Sequence, residues 1–192
     1  IHVPPEHLLL TPGTSVAYWY CFKLLANDGD EILCPSPSYP LFEYIAALSG
    51  VSLIPYRLDE SRDWAIDVDH LESVTSTRTR ALVLISPHNP TGGVLEPDDL
   101  QVIAEIANKY DAVIFTDEIY RDMLYDGTFS SLLSVPTLSE RLIMLDGFSK
   151  SYAMTGWRLG LGVMNTELAG WTTKLMTNSN SCTSAHTQMA GM

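Results

Sequence analysis

Two runs, Ala81-Leu82-Val83-Leu84-Ile85 and Ala112-Val113-Ile114-Phe115, are apolar at every consecutive position, and they constrain the fold more than any other feature of the chain. Successive side chains of a strand point to opposite faces, so a run with no polar position must be covered on both sides. The two runs are therefore predicted to be central strands of a sheet with helices on each face. Candidate strands at 8–11, 31–35, 51–56, 81–86, 112–116, 141–146 and 159–164 make seven, and stretches of helical period fall at 15–26, 39–49, 68–76, 97–110 and 167–178. Such alternation is the layout of repeated β-α units around a mainly parallel sheet. Pro97-Asp98-Asp99 marks a helix start, with proline and acids in the first turn, and Asn27-Asp28-Gly29-Asp30 closes the first helix with turn-forming residues.

The chain has 192 residues and 46% hydrophobic composition, enough to bury one large core, and no repeat, low-complexity tract or linker divides it. A formal net charge of -12 argues against a nucleic-acid or anionic-membrane surface, since both require clustered lysines and arginines. No apolar run approaches the roughly 18 residues of a membrane span, and no secretory signal pattern opens the chain. The expectation is a soluble, cytoplasmic protein. Cys21, Cys34 and Cys182 are widely spaced, without CxxC or a histidine pair nearby, which predicts reduced thiols and no metal site. His88 is expected to be a loop-packing residue.

The chemistry-bearing feature is Lys150, with Arg158 eight positions downstream. A lysine amine condenses with a carbonyl to form a Schiff base, and a guanidinium grips phosphate through two parallel hydrogen bonds. The pair suggests a cofactor with an aldehyde and a phosphate, for which pyridoxal 5'-phosphate (PLP) is the candidate. Upstream, Thr11-Pro12-Gly13-Thr14-Ser15 leaves a strand and enters a helix. By itself it reads as a helix cap; with Arg158 available, the amides of Gly13, Thr14 and Ser15 and two hydroxyls become an anion site. Taken alone, Tyr39 between prolines is structural, Asn89 opens a turn, Asp117 caps a helix, and Lys150 is a solvated surface lysine. That last reading leaves Gly147, Gly156 and Gly160 around it unexplained.

The stretch from Gly147-Phe148-Ser149-Lys150 to Gly156-Trp157-Arg158-Leu159-Gly160 resembles the lysine-attachment signature of class I/II, fold-type I, PLP-dependent aminotransferases. Three further blocks stand upstream in that family's order: Thr11-Pro12-Gly13-Thr14-Ser15-Val16-Ala17, Ser86-Pro87-His88-Asn89-Pro90-Thr91-Gly92 and Thr116-Asp117-Glu118-Ile119-Tyr120. The resemblance runs from about Leu8 to about Gly191. It implies a three-layer α/β/α fold with a seven-stranded, mainly parallel sheet, and a chain that is, over 1–192, the PLP-binding large domain without the N-terminal arm and C-terminal small domain of full-length relatives.

By the same resemblance Tyr39 stacks on the cofactor ring, Asn89 and Tyr120 reach its phenolic oxygen, and Asp117 pairs with its ring nitrogen. Asp117 and Tyr120, three residues apart, are expected to share a helical face. Lys150 anchors the cofactor and then moves a proton, while Gly13, Thr14, Ser15 and Arg158 take the phosphate. Catalytic roles fall to Lys150, Asp117 and Tyr120. The implied reaction moves an amino group from an amino acid to a 2-oxo acid, in a homodimer with no nucleic acid and no membrane partner. A lyase or synthase on the same scaffold is an alternative, and so is a non-catalytic PLP-binding module or isolated large domain. Two departures bear on this: Gly147 stands where many relatives carry a serine, and no position matches the small-domain arginine that grips the substrate carboxylate.

Overall fold

A computed structural model describes residues 2–138 and 140–192; Ile1 and Ser139, both inside the single-domain span read from the sequence, lie outside the described residues. The elements run β1 (Leu8–Thr11), α1 (Thr14–Leu25), β2 (Glu31–Ser36), α2 (Leu41–Ser49), β3 (Ser52–Asp59), β4 (Ala65–Ile66), α3 (Val68–Val74), β5 (Thr79–Ile85), α4 (Pro97–Tyr110), β6 (Val113–Asp117), β7 (Leu142–Gly147), β8 (Gly160–Val163), α5 (Thr166–Ser179) and α6 (Ala185–Ala190). The strands form one eight-stranded sheet in the order β1-β8-β7-β6-β5-β2-β3-β4.

Both faces of that sheet are covered, as the consecutive apolar runs require. Ala81, Val83 and Ile85 of β5 pack on one side with Phe115, Ile32, Cys34, Ile143 and Leu145, against Ala17, Tyr18, Cys21 and Phe22 of α1 and Phe42 and Ile45 of α2. Leu82 and Leu84 pack on the other side with Leu33, Ile114 and Leu142, against Leu71 of α3 and Ile103, Ile106 and Ala107 of α4. The period-two split of single strands between two cores produces the three layers.

Direction in the sheet decides where the site lies. The strand pairs β2/β3, β2/β5, β5/β6 and β6/β7 are parallel, whereas β8 is antiparallel to both β1 and β7, and β4 is antiparallel to β3. Consequently β1 runs with β7, and the carboxyl ends of β1, β2, β5, β6 and β7 meet at one edge. The start of β8 reaches that same edge because β8 runs backwards.

The structure corrects the sequence reading in four places. The sheet has eight strands, not seven: β4 is two residues long, paired at Leu58 and Asp59, and leaves no apolar run to detect. Helix α6 has no counterpart in the sequence pattern, being six residues with one buried side chain, Thr187. Helix α2 starts at Leu41 rather than at Tyr39, since the residue before a proline, here Pro40, is driven out of helical conformation. Asp117 and Tyr120 share no helix: Asp117 ends β6 and Tyr120 lies in the turn before the short 3-10 segment Arg121–Met123. The sheet carries on past β6, because the Glu118 amide donates to the Leu145 carbonyl at 2.9 Å.

Candidate active site

The register at the β1/β8/β7 junction builds one end of the site. Gly160 is paired with Thr11 on one side and Gly147 on the other. A Cβ on Gly160 would lie 2.7 Å from the Gly13 carbonyl carbon and 2.8 Å from the Thr14 nitrogen, so only glycine lets the N-terminus of α1 sit on β8. Gly13 is the N-cap of α1, with φ 96 and no side-chain cap, so the first amides of the helix are left as free donors. Over it lies the guanidinium of Arg158, whose Nη2 occupies the place a Gly13 side chain would take. Arg158 itself has φ 55, uncommon for a residue other than glycine, and its Nη1 donates to the Thr155 carbonyl at 2.8 Å. Positive charge and unsatisfied amides thus converge where an anion would bind.

At the other end, β6 delivers Asp117 between β5 and β7, opposite Ile85 and Leu145. Its Oδ2 accepts from the Tyr18 hydroxyl at 3.2 Å and its Oδ1 from the Ile119 amide at 3.2 Å. Burial pushes its carboxyl up to about 6; the neighbouring acids Asp146 and Glu118 add to the rise, and the bonds from Ile119 and Tyr18 oppose it. Among the described residues it has no lysine or arginine partner. A buried carboxylate held only by neutral donors suits a cationic group arriving from the cleft.

Between the two ends, Asn89 Nδ2 donates to the Tyr120 hydroxyl at 3.4 Å, and the Lys150 amine sits 5.6 Å from the Tyr120 ring centroid. Tyr39, half-exposed, borders the opening, and Leu41, Phe42, Ile85 and Ile119 supply apolar walls. The cleft has a volume of about 170 Å³. Thr14, Ser15, Tyr39, Asn89, Asp117, Tyr120, Lys150 and Arg158 line it together, with Gly13 beneath Arg158. His88 stands outside: its Nδ1 lies 2.8 Å from the Thr91 hydroxyl and burial lowers its pKa to about 4, in keeping with a loop-packing role.

Besides the four apolar wall residues, three polar lining residues escaped the sequence reading. Tyr18 is one helical turn beyond Thr14, and that i, i+4 spacing was the available signal. Ser149, beside Lys150, and Thr155, whose carbonyl holds Arg158, also face the cleft. A group with an anion at one end, a basic nitrogen at the other and a carbonyl within reach of an amine matches this donor set, and PLP has those three features. The residues present fit the cofactor that the motifs imply.

Known proteins resemble this chain along its whole length. A family model described as aminotransferase class I and II matches residues 1–192. An aspartate aminotransferase of Sulfurisphaera tokodaii is 32% identical over 192 residues, covering 99% of this chain and 48% of that protein. Aromatic-amino-acid aminotransferase 2 of Thermococcus litoralis is 37% identical over 158 residues, or 82% of this chain and 41% of that protein. A solved aromatic aminotransferase from Pyrococcus horikoshii superposes with a TM-score of 0.94 at 31% identity, covering 99% of this chain and 52% of its own. The chain spans about half the length of the relatives it matches.

Proposed function

Since the chain belongs to the class I and II aminotransferases, we propose that its cleft binds PLP and that the protein transfers amino groups from an amino acid to a 2-oxo acid. The observation that carries the reading is the convergence of Lys150, Asp117 and Arg158 on one cavity from the ends of β7 and β6 and the start of β8. When bound, PLP supplies a protonated aromatic ring able to delocalise the electron pair left on a substrate carbon.

The chain's own groups would do the rest. The amides and hydroxyls of Thr14 and Ser15, with Arg158, would hold the phosphate. Asp117 would face the ring nitrogen and keep its proton in place, while Tyr39 would cover the ring face. Asn89 and Tyr120 would hold the phenolic oxygen. Lys150 would anchor the cofactor through its amine and, once displaced by substrate, take and return the proton at the substrate's Cα. Leu41, Phe42, Ile85 and Ile119 would exclude water from the ring's flank, where charge interactions are strengthened by the low local dielectric.

A homodimer and a cytoplasmic setting are part of the proposal. Tyr44 and Leu48, one turn apart on α2, and Trp157 beside Arg158 are exposed apolar surface that a second copy would cover. No helix among the described residues is long and apolar enough to cross a membrane. A second reading, a PLP-binding module without turnover, is favoured by one observation: Arg158 is the one arginine lining the cleft among the described residues, and it faces the α1 N-terminus.

Turnover separates the two. With PLP, a 2-oxo acid and donors drawn from those named in the relatives (aspartate, an aromatic amino acid), chromatography should show a new amino acid formed. Lys150→Ala should lower that rate by roughly 10² to 10⁴-fold. PLP binding without product selects the module reading, and equal rates in wild type and Lys150→Ala would sink the role of Lys150.

A further inference from the structure

One buried polar group beside the cleft has no part in the assignments above: the hydroxyl of Tyr18. The ring is 2% exposed and wedged edge-on against Phe42, with centroids 5.0 Å apart, and stacked on Phe115 at 5.6 Å. Packing of that kind asks only for an aromatic ring; among Phe22, Phe42 and Phe115 a phenylalanine would serve. A buried hydroxyl costs desolvation unless it is bonded, and this one is spent on Asp117 Oδ2. Because the ring is clamped on several sides, its donor is fixed in space. With the Ile119 amide on Oδ1, each carboxylate oxygen has one immobile donor, and the carboxylate plane is set.

The charges around Asp117 work in the other direction. Glu118, next in the chain, and Asp146 of β7 both raise its proton affinity, as does burial, whereas Tyr18 and the Ile119 amide lower it. Tyr18 is therefore the one side chain of the set that favours the anion; Cys34 of β2 faces the phenol and is itself held neutral by burial. Position on the helix adds a geometric consequence. Thr14 and Tyr18 are four residues apart in α1, about 6 Å along the axis, so one rigid helix sets both the anion end and the acid end of the cleft.

We propose that Tyr18 is a positioning residue for Asp117: its hydroxyl fixes the carboxylate plane and keeps it anionic, so that a proton shared with the cofactor's ring nitrogen resides on the ring. The inference rests on the reading of Asp117 as the ring nitrogen's partner.

The test uses the purified protein and Tyr18→Phe, which keeps every ring contact and deletes only the donor. Carboxylate NMR of labelled aspartate, without cofactor, should show Asp117 titrating roughly one pH unit higher in Tyr18→Phe. A fluorinated, more acidic tyrosine at position 18 should move it the opposite way, a second readout that keeps the hydroxyl in place. With PLP labelled at the ring nitrogen, the nitrogen signal should be that of the protonated ring in wild type and shift toward the unprotonated form in Tyr18→Phe. In the same variant kcat should fall about tenfold with KM within about twofold, the pattern of a lost transition-state interaction. An unchanged Asp117 titration, or an unchanged ring-nitrogen signal, overturns the role of Tyr18. If instead the wild-type nitrogen signal is untouched by Asp117→Asn, the reading of Asp117 itself is wrong and the inference falls with it.

Discussion

Where β2 and β5 begin, Asp30 and Glu31 are buried and each is met by an arginine: Arg80 Nε lies 3.1 Å from Asp30, and Arg78 pairs with Glu31, which also accepts from the Ser76 hydroxyl at 2.5 Å. Where β6 ends, at the opposite edge of the same sheet, Asp117 and Glu118 are equally buried and their partners are neutral. Asp117 has the Tyr18 hydroxyl and an amide; Glu118 accepts from the Leu132 amide at 3.0 Å and from the Thr116 hydroxyl at 3.3 Å. Asp146, four residues before Lys150, is the buried acid of that edge that does have an arginine, Arg121 Nη1 at 2.8 Å; the exposed Asp122 shares that arginine at 3.9 Å. A buried carboxylate without a cation is costly. The first edge is arranged for stability, and the second tolerates an unpaired charge because the cleft beside it is where a cation would come.

The contrast can be broken most forcefully at Asp117. Asp117→Asn can still accept from the Ile119 amide with its oxygen while its amide group donates to Tyr18, so the fold should survive, but aminotransfer should drop by on the order of 10² to 10³-fold. Stability of the unliganded protein should move the other way. The folded-state pKa of Asp117, about 6, lies above its ordinary value of 3.8, so the folded form binds the proton more tightly than the unfolded form. That contribution is full below about pH 4 and is lost as pH rises through about 6, amounting to about 3 kcal/mol at most. Denaturant titrations across this window should therefore show wild type losing stability with rising pH and Asp117→Asn following a flatter curve. A wild type that gains stability over the same window from this group would remove the unpaired-charge argument.

A smaller effect of opposite sign is expected at the other edge. Glu31→Gln should cost about 1 to 2 kcal/mol, through the weakened bonds to Ser76 and to an arginine that is itself 69% exposed, and should leave turnover unchanged. Calorimetry paired with the donor assay checks both halves; a gain in stability, or a large rate loss, would erase the distinction between the edges.

The residue pattern made most of the architecture readable because β5 and β6 are apolar on both faces, which leaves few folds open. What escaped had a physical reason in each case. Two residues of β4 carry no period, and α6 buries too little to leave a stripe. Pro40 frees Tyr39 from the helix in a way that apolar spacing does not register. Beyond β6, the buried side chain of Glu118 ties the chain to Leu132, a long-range contact that turns an expected helix into a bend. The site motifs stood out because glycines, a lysine and an arginine recur at fixed spacing, whereas Tyr18 looks like core from sequence: its ring packs with phenylalanines and its hydroxyl matters only once β6 is beside it.

Reduction of the PLP-treated protein with borohydride, followed by peptide mass mapping, bears most directly on whether the carboxyl edge of this sheet is a cofactor site. The expected outcome is a reduced pyridoxyl group on Lys150 alone, absent from Lys150→Ala and weakened when the Arg158 side chain is removed. Label spread over surface lysines, or retained at another position in Lys150→Ala, would mean that the cleft between Asp117 and Arg158 does not hold the cofactor.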